Sequence, residues 1–235
     1  GDFVQFCEVE VKNVAVQKDP EPVVTDTLKL SATTATIIPK QQFQLSATLK
    51  STGKAAEGVT WSSTNPSKIK VDANGKVTAV ATGTASVIAT SADGTLSAVC
   101  NITVKSAKTT TLRYEITKFT SSAKEVRVTK AAKSSLKTAN IPKTVKLCGV
   151  TYKVVAVKDG AFKNNKKIRK VTVGQNVTKI GKQSFYGFNA LKALAGLDDE
   201  LHLISPETIQ PIQHLKVDHL GNRNPRLHTD EVLIA

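Results

Sequence analysis

No stretch of this 235-residue chain approaches the roughly 20 consecutive apolar residues that a membrane-spanning helix needs. Its start, Gly1-Asp2-Phe3, lacks the basic and apolar regions of a secretory leader. Any leader is therefore expected to have been removed. Cysteine is scarce: Cys7, Cys100 and Cys148 form neither a C-x-x-C pair nor a metal-ligand spacing, and the odd count leaves at least one thiol free. Cys100 alternates in phase with Ala98, Ile102 and Val104, which reads as a buried thiol serving as a small apolar side chain; a bridge to Cys7 is the alternative. The sequence also has no nucleophile elbow, no Cys/His pair with a plausible third member and no glycine-rich phosphate loop. No catalytic residues are expected, and the chain is not expected to be an enzyme.

What is present is a sharply partitioned charge. The net charge of +14 divides into +1 over residues 1–107, +17 over 108–192 and −4 over 193–235. A 40% apolar content excludes wholesale disorder, so the partition points to separate units with different jobs. We place a leading strand and proline-containing linker at 1–26, one domain at 27–105, a second at 106–194 and a tail at 195–235.

The stretch Val59–Gly83 organises the first domain. It reads as a strand with the only tryptophan (Val59, Trp61), an Asn65-Pro66 turn and a strand at Ile69 and Val71. A tight Asn74-Gly75 turn then leads into a strand through Val77 and Val80. Asn-Gly between alternating runs is a strong hairpin signal, since both central residues of that turn need positive φ. Phe43, Leu45, Ala47 and Leu49 share one face of an earlier strand; Ala85, Val87 and Ala89 alternate in a later one. About seven strands fit this spacing, with Trp61 between two sheets. The motifs W-S-S-x-N-P, V-D-x-N-G-K-V-T-A-V and Ala98 to Val104 fall in the order seen in group 2 bacterial immunoglobulin-like domains, which this span resembles. The resemblance implies a small β-sandwich used in tandem on bacterial surfaces, with no catalytic site of its own.

In the second domain Leu112, Tyr114 and Ile116, then Val126 and Val128, suggest a hairpin. An internal repeat follows. Val154, Val157, Phe162, Ile168 and Val171 are matched 23 residues later by Val177, Ile180, Phe185, Leu191 and Leu194 without a gap. Each unit is a strand and a turn that cannot bury its apolar edge alone, so stacking should bring Phe162 and Phe185 together. Gly160-Ala161-Phe162 and Ile180-Gly181-Lys182-Gln183-Ser184-Phe185 resemble BspA-like leucine-rich repeats, which implies a short β-solenoid and, since two repeats are few, a longer parent. The repeat is expected to stop at Leu194, because Thr208 and His214 fall where the next Phe and Leu belong. The tail, expected to be partly helical or irregular with a helix start at Ser205-Pro206-Glu207, is similar to the C-terminal region of a family of uncharacterised bacterial proteins. The fold expected overall is mainly β.

The strongest functional feature is a basic surface: Lys163, Lys166, Lys167, Arg169 and Lys170, with Lys179 and Lys182 one repeat on. It reads either as a solvated face or as a docking patch for an acidic glycan, wall polymer or nucleic acid. Aromatics do not interleave with these lysines as a single-strand platform requires, so nucleic acid is disfavoured and Tyr152, Tyr186 and Phe188 read as packing. His214 and His219, five apart, are off one helical face and make a poor zinc pair. Asp72 and Asp93 are too few for a calcium cage. No metal or cofactor is expected. The expected function is a non-enzymatic secreted or cell-surface binding protein, its first domain a spacer and its repeats facing a host matrix protein or glycan. An accessory fragment of a larger surface enzyme and a bare stalk are the alternatives.

Overall fold

The computed structural model describes residues 26–50 and 58–188, together with the backbone of 193–195 and 216–218. The leading segment, the Ser51–Lys54 turn and the tail's helix start lie outside the described residues. Among the described residues there are eighteen strands and no helix.

Nine strands make the first unit, more than the seven expected. β2 (Thr34–Ile37) runs parallel to β9 (Ser97–Val104), which pairs with β8 (Gly83–Ser91), which pairs with β5 (Val59–Ser63). A second sheet orders β3 (Gln42–Gln44), β7 (Lys76–Ala79) and β6 (Ile69–Val71), and β1 (Thr27–Leu30) pairs with β4 (Ala47–Lys50). The run from Phe43 to Leu49 is not one strand, because it changes sheet at Leu45-Ser46. Leu45 N–H donates to the Gly75 carbonyl at 3.0 Å, while Ser46 N–H turns to Ser31 Oγ at 3.0 Å. Alternation along β8 and β9 sends Ala85, Val87, Cys100, Ile102 and Val104 inward, where they meet Ile37, Leu45, Ile69 and Val77. Each such fully buried aliphatic contributes about 1.5–3 kcal/mol. Cys100 is wholly buried in this core, and burial pushes its thiol pKa up. Cys7 lies outside the described residues.

Two expectations about the organising stretch need correction. Gly75 alone takes positive φ (77°), and Asn74 does not. Gly75 N–H donates to the Asp72 carbonyl at 3.0 Å, and Asp72 Oδ1 accepts from the Asn74 and Lys76 amides at 3.0 and 2.9 Å. This is a three-residue connection with a glycine bulge, fixed by the aspartate two positions earlier. The primed two-residue turn occurs instead at Cys148-Gly149, where both φ values are positive (45° and 81°). Trp61, for its part, is only half-buried and lies over the bulge. A Cβ on Gly75 would sit 2.8 Å from the indole Cζ2, so the ring packs where only glycine leaves room.

The second unit is built on parallel pairing. β10 (Leu112–Phe119) and β11 (Lys124–Ala131) form the expected hairpin. β14 (Val150–Val157) lies parallel to β11, takes β13 (Thr144–Leu147) as an antiparallel neighbour and carries β16 (Lys179–Ile180) in parallel. In a separate sheet β12 (Thr138–Ile141), β15 (Lys170–Val173), β17 (Ala193–Ala195) and β18 (Lys216–Asp218) are parallel throughout. Val157 pairs with Ile180 and Val171 with Leu194, each 23 residues on, so the sequence period is the ladder register. The turns stack with it: the amides of Phe162 and Asn164 donate to the carbonyls of Ser184 and Tyr186 at 2.9 and 2.8 Å. Phe162 and Phe185 lie 5.7 Å apart and 14° from parallel, with Phe188 edge-on to Phe185 at 5.9 Å. The stack also passes the point where the sequence repeat was expected to stop. Leu194 pairs with Val217 at the same 23-residue offset, because a parallel ladder needs backbone, not the Phe and Leu that Thr208 and His214 replace.

Tyr152 is fully buried in the second core, its ring 6.2 Å from that of Phe119, and its hydroxyl has no hydrogen-bond partner among the described residues. Burial, with the nearby Cys148, pushes its pKa up to about 12. An unpaired buried hydroxyl costs about 1–3 kcal/mol. Tyr152→Phe is therefore expected to raise the melting temperature by a few degrees, and a lower melting temperature would show a partner that the phenol relies on.

Candidate functional site

The two units meet at a turn. At the end of β2 Ile37 faces the first core, while its neighbour Ile38 is wholly buried in the second. Ile38-Pro39-Lys40-Gln41 closes through Gln41 N–H to the Ile38 carbonyl at 3.0 Å, with Lys40 in the left-handed region (φ 70°). Proline second and positive φ third is the type II pattern, which normally calls for glycine at the third position. Lys40 is held there from both sides: its amide donates to the Ala79 carbonyl at 2.8 Å, and its Nζ to Glu115 Oε1 at 2.6 Å. Arg127 closes on the other oxygen of Glu115 through Nε and Nη2 at 3.1 and 2.9 Å.

Hydrogen bonds from Lys40 and then Arg127 hold the Glu115 carboxyl at about 2, well below its ordinary 4.5. A depressed carboxylate pKa gives stability that is full above about pH 4.5 and is lost as pH falls through about 2. Because the group is partly exposed, Glu115→Gln is expected to cost about 1 kcal/mol at neutral pH. The same change should flatten the stability slope between pH 5 and 2. Thermal melts across that range check it; equal slopes in the two proteins would remove the ion cluster from the account.

All seven of the singled-out cations are exposed, and among the described residues none is in an ion pair. They lie on the turns and on strands of both sheets. Lys163 and Lys182 lie on successive stacked turns, where Gly160 N–H donates to the Lys182 carbonyl at 2.9 Å. Lys166, Lys167, Arg169 and Lys170 follow on the limb leading into β15. There Asn165 Oδ1 accepts from the amides of Lys167 and Ile168 at 3.0 and 3.2 Å, turning Ile168 into the core and the lysines out. Arg169 N–H donates to the Lys137 carbonyl at 2.8 Å, which adds exposed Lys137 to this limb. Lys179 is on β16, in the other sheet from β15. Tyr186 does more than pack: Lys163 Nζ stands 5.5 Å over its ring and donates to Gln183 Oε1 at 2.7 Å.

Asp72 and Asp93 prove to be turn staples. Asp93 accepts from the hydroxyl of Ser91 at 2.6 Å and from the amide and hydroxyl of Thr95, bonds that lower its pKa. Among the described residues no three His, Cys, Asp or Glu side chains converge as metal ligands would. His214, His219 and Asp198-Asp199-Glu200 lie outside the described residues. Sequence reading missed the junction altogether. Its signal was Ile-Ile-Pro-Lys: two adjacent apolar residues at a strand end, then a turn proline.

Comparison with known proteins gives two matches. Residues 24–102 match the bacterial Ig-like domain (group 2), and residues 124–235 match the C-terminal part of the domain of unknown function DUF1846. The chain is similar to UPF0371 proteins from Corynebacterium urealyticum (60% identical over 65 residues) and Streptococcus thermophilus (49% identical over 65 residues). Each match covers 28% of this chain and 13% of the relative, so the chain spans only a small part of those proteins. The similarity expected for the tail is found, but no comparison supports the leucine-rich-repeat resemblance. A crystal structure of an EHEC O157:H7 intimin mutant aligns over 40% of this chain and 51% of its own, at 24% identity. Its TM-score of 0.29 is too low to carry an argument. The first unit is thus similar to an Ig-like domain, and residues 124–235 to the C-terminal part of an uncharacterised bacterial family.

Proposed function

We propose that the chain is a non-enzymatic bacterial surface or secreted binding protein. In this reading the Ig-like sandwich is the spacer, and the second unit, a short leucine-rich-repeat solenoid of the BspA-like kind, presents the binding face to a host matrix protein or an acidic glycan. The observation that carries it is the limb Lys166–Lys170 with Lys137. Its cations are exposed and without ion pairs among the described residues, on a stack that fixes their spacing. The Ig-like match supports a surface setting, and no described helix is long and apolar enough to cross a membrane.

Solid-phase binding of the whole chain to matrix proteins, sulfated glycans and DNA, at about 50 and about 200 mM salt, tests this, because charge-driven contacts weaken by orders of magnitude over that range. One sulfated glycan or matrix protein is expected to remain bound at the higher salt. That binding should fall at least about tenfold when Lys166, Lys167, Arg169 and Lys170 are all changed to Gln. Binding that is absent, or indifferent to those changes, would replace this reading with a stalk. The 13% coverage of the UPF0371 relatives favours a second reading, in which the chain is an accessory piece of a larger protein; a parent sequence bearing a catalytic domain would establish it.

A further inference from the structure

A cavity of about 370 Å³ opens where the two units join, lined by Ile38, Lys105, Ser106, Lys108, Lys146, Leu147 and Cys148. Ile38 and Leu147 give it apolar lining, and its charged lining is of one sign: three lysines and no carboxylate. The backbone fixes these positions. Lys105 N–H donates to the Ile37 carbonyl at 2.8 Å, the Ala107 carbonyl accepts from the Tyr114 amide at 2.7 Å, and Lys108 forms an isolated antiparallel bridge with Arg113. Lys146 arrives on β13, just before the primed Cys148-Gly149 turn that closes this hairpin. The one acidic side chain on the neighbouring strand β10 that is seen at the junction, Glu115, is already held by Lys40 and Arg127. Among the described residues none of the three cavity lysines has an ion-pair partner. Three like charges carried round a concave, partly apolar wall repel one another and concentrate positive potential there, and an anion relieves both.

We propose that this junction cavity is a binding site for a doubly charged tetrahedral oxyanion, a phosphate or sulfate group. Lys105, Lys108 and Lys146 supply the charge, and Ser106 a neutral hydrogen-bonding group. The site is distinct from the face on the repeats and does not depend on that face having a ligand.

Cys148 gives a local reporter, since it is a half-buried lining residue of the cavity while Cys100 is wholly buried. In the full chain with Cys7→Ser, Cys148 is reacted with a dianionic aromatic disulfide and, separately, with a neutral pyridyl disulfide. In each case the thiolate attacks sulfur and expels one aromatic thiolate, and the ratio of the two rates cancels changes in thiol reactivity. The anionic reagent is expected to be favoured about tenfold at low salt. Inorganic phosphate or sulfate, each added at ionic strength matched with chloride, should slow both reagents, and whichever protects at the lower concentration identifies the group. Changing Lys105, Lys108 and Lys146 together to Gln should bring the ratio near one and abolish protection, whereas Lys166→Gln with Lys167→Gln should leave both unchanged. A ratio unmoved by the cavity substitutions, or no protection by either anion beyond chloride, overturns the proposal. The melting temperature of the triple variant guards against misfolding; if it falls, Lys146→Gln alone is expected to lower the ratio partway, and no change in it would overturn the proposal equally.

Discussion

Phenylalanine 185 replaced by alanine is expected to remove about 3–5 kcal/mol from the second unit, the range for truncating a buried aromatic. Phe185 is wholly buried, stacks on Phe162 at 5.7 Å and takes the edge of Phe188 at 5.9 Å, so its loss leaves a void beside two rings that are themselves packed in the core. The neighbouring contacts are backbone hydrogen bonds from turn to turn, which fix the rung spacing and prevent collapse. Phe185→Leu keeps most of the volume and should cost less than half as much. The two units can be followed separately. Trp61 is the only tryptophan and belongs to the first unit, so its fluorescence follows that unit, while far-ultraviolet circular dichroism follows both. In urea, Phe185→Ala should split off an early dichroism transition and leave the Trp61 midpoint close to that of the parent. A loss under about 1 kcal/mol would mean that the aromatic stack is not part of the core.

Ile38 makes the opposite test, because it belongs to the first unit by sequence and to the second by packing. Ile38→Ala is expected to cost about 2–5 kcal/mol, as for other core isoleucines. The cost should fall on the second unit, where Ile38 packs with the core that includes Leu147 and Leu112. The dichroism transition of residues 112–188 should therefore move to lower urea, although no residue in that span was changed. Ile38→Gly removes the whole side chain and should move that transition further still. If only the Trp61 curve shifted in either variant, the units would be independent and the junction merely a contact.

How far the sequence foretold this arrangement depends on what each signal encodes. Alternation is a property of neighbouring residues in one strand, so the inward faces of β8, β9, β10 and β11 were legible. The 23-residue period was legible for the same reason, and it anticipated both the Phe162–Phe185 stack and the register of β14 with β16. Turn chemistry was read less well. Asn74-Gly75 has the right dipeptide, but Asp72 accepts two amides ahead of it and selects the longer connection; Cys148-Gly149 makes the primed turn with a residue that no rule would have chosen. The switch of sheet at Leu45-Ser46 was hidden because it is set by partners far along the chain, Gly75 and Ser31. The candidate site was half legible. Counting lysines found the exposed limb, but not that Lys179 belongs to the other sheet. The junction needs Ile38, Lys105 and Lys146 to meet, and no local pattern brings together positions so far apart.

The constant offset of the parallel rungs also sets the natural unit of change in this part of the gene. Inserting or deleting 23 codons between β14 and β18 leaves every remaining strand opposite an equivalent one, and adds or removes one complete tier. A change of a single codon within a strand would instead put the rest of that strand's side chains on its wrong face. Length variation among descendants of this chain should therefore come in whole tiers, so the reach of the molecule can grow or shrink without its cross-section being redesigned.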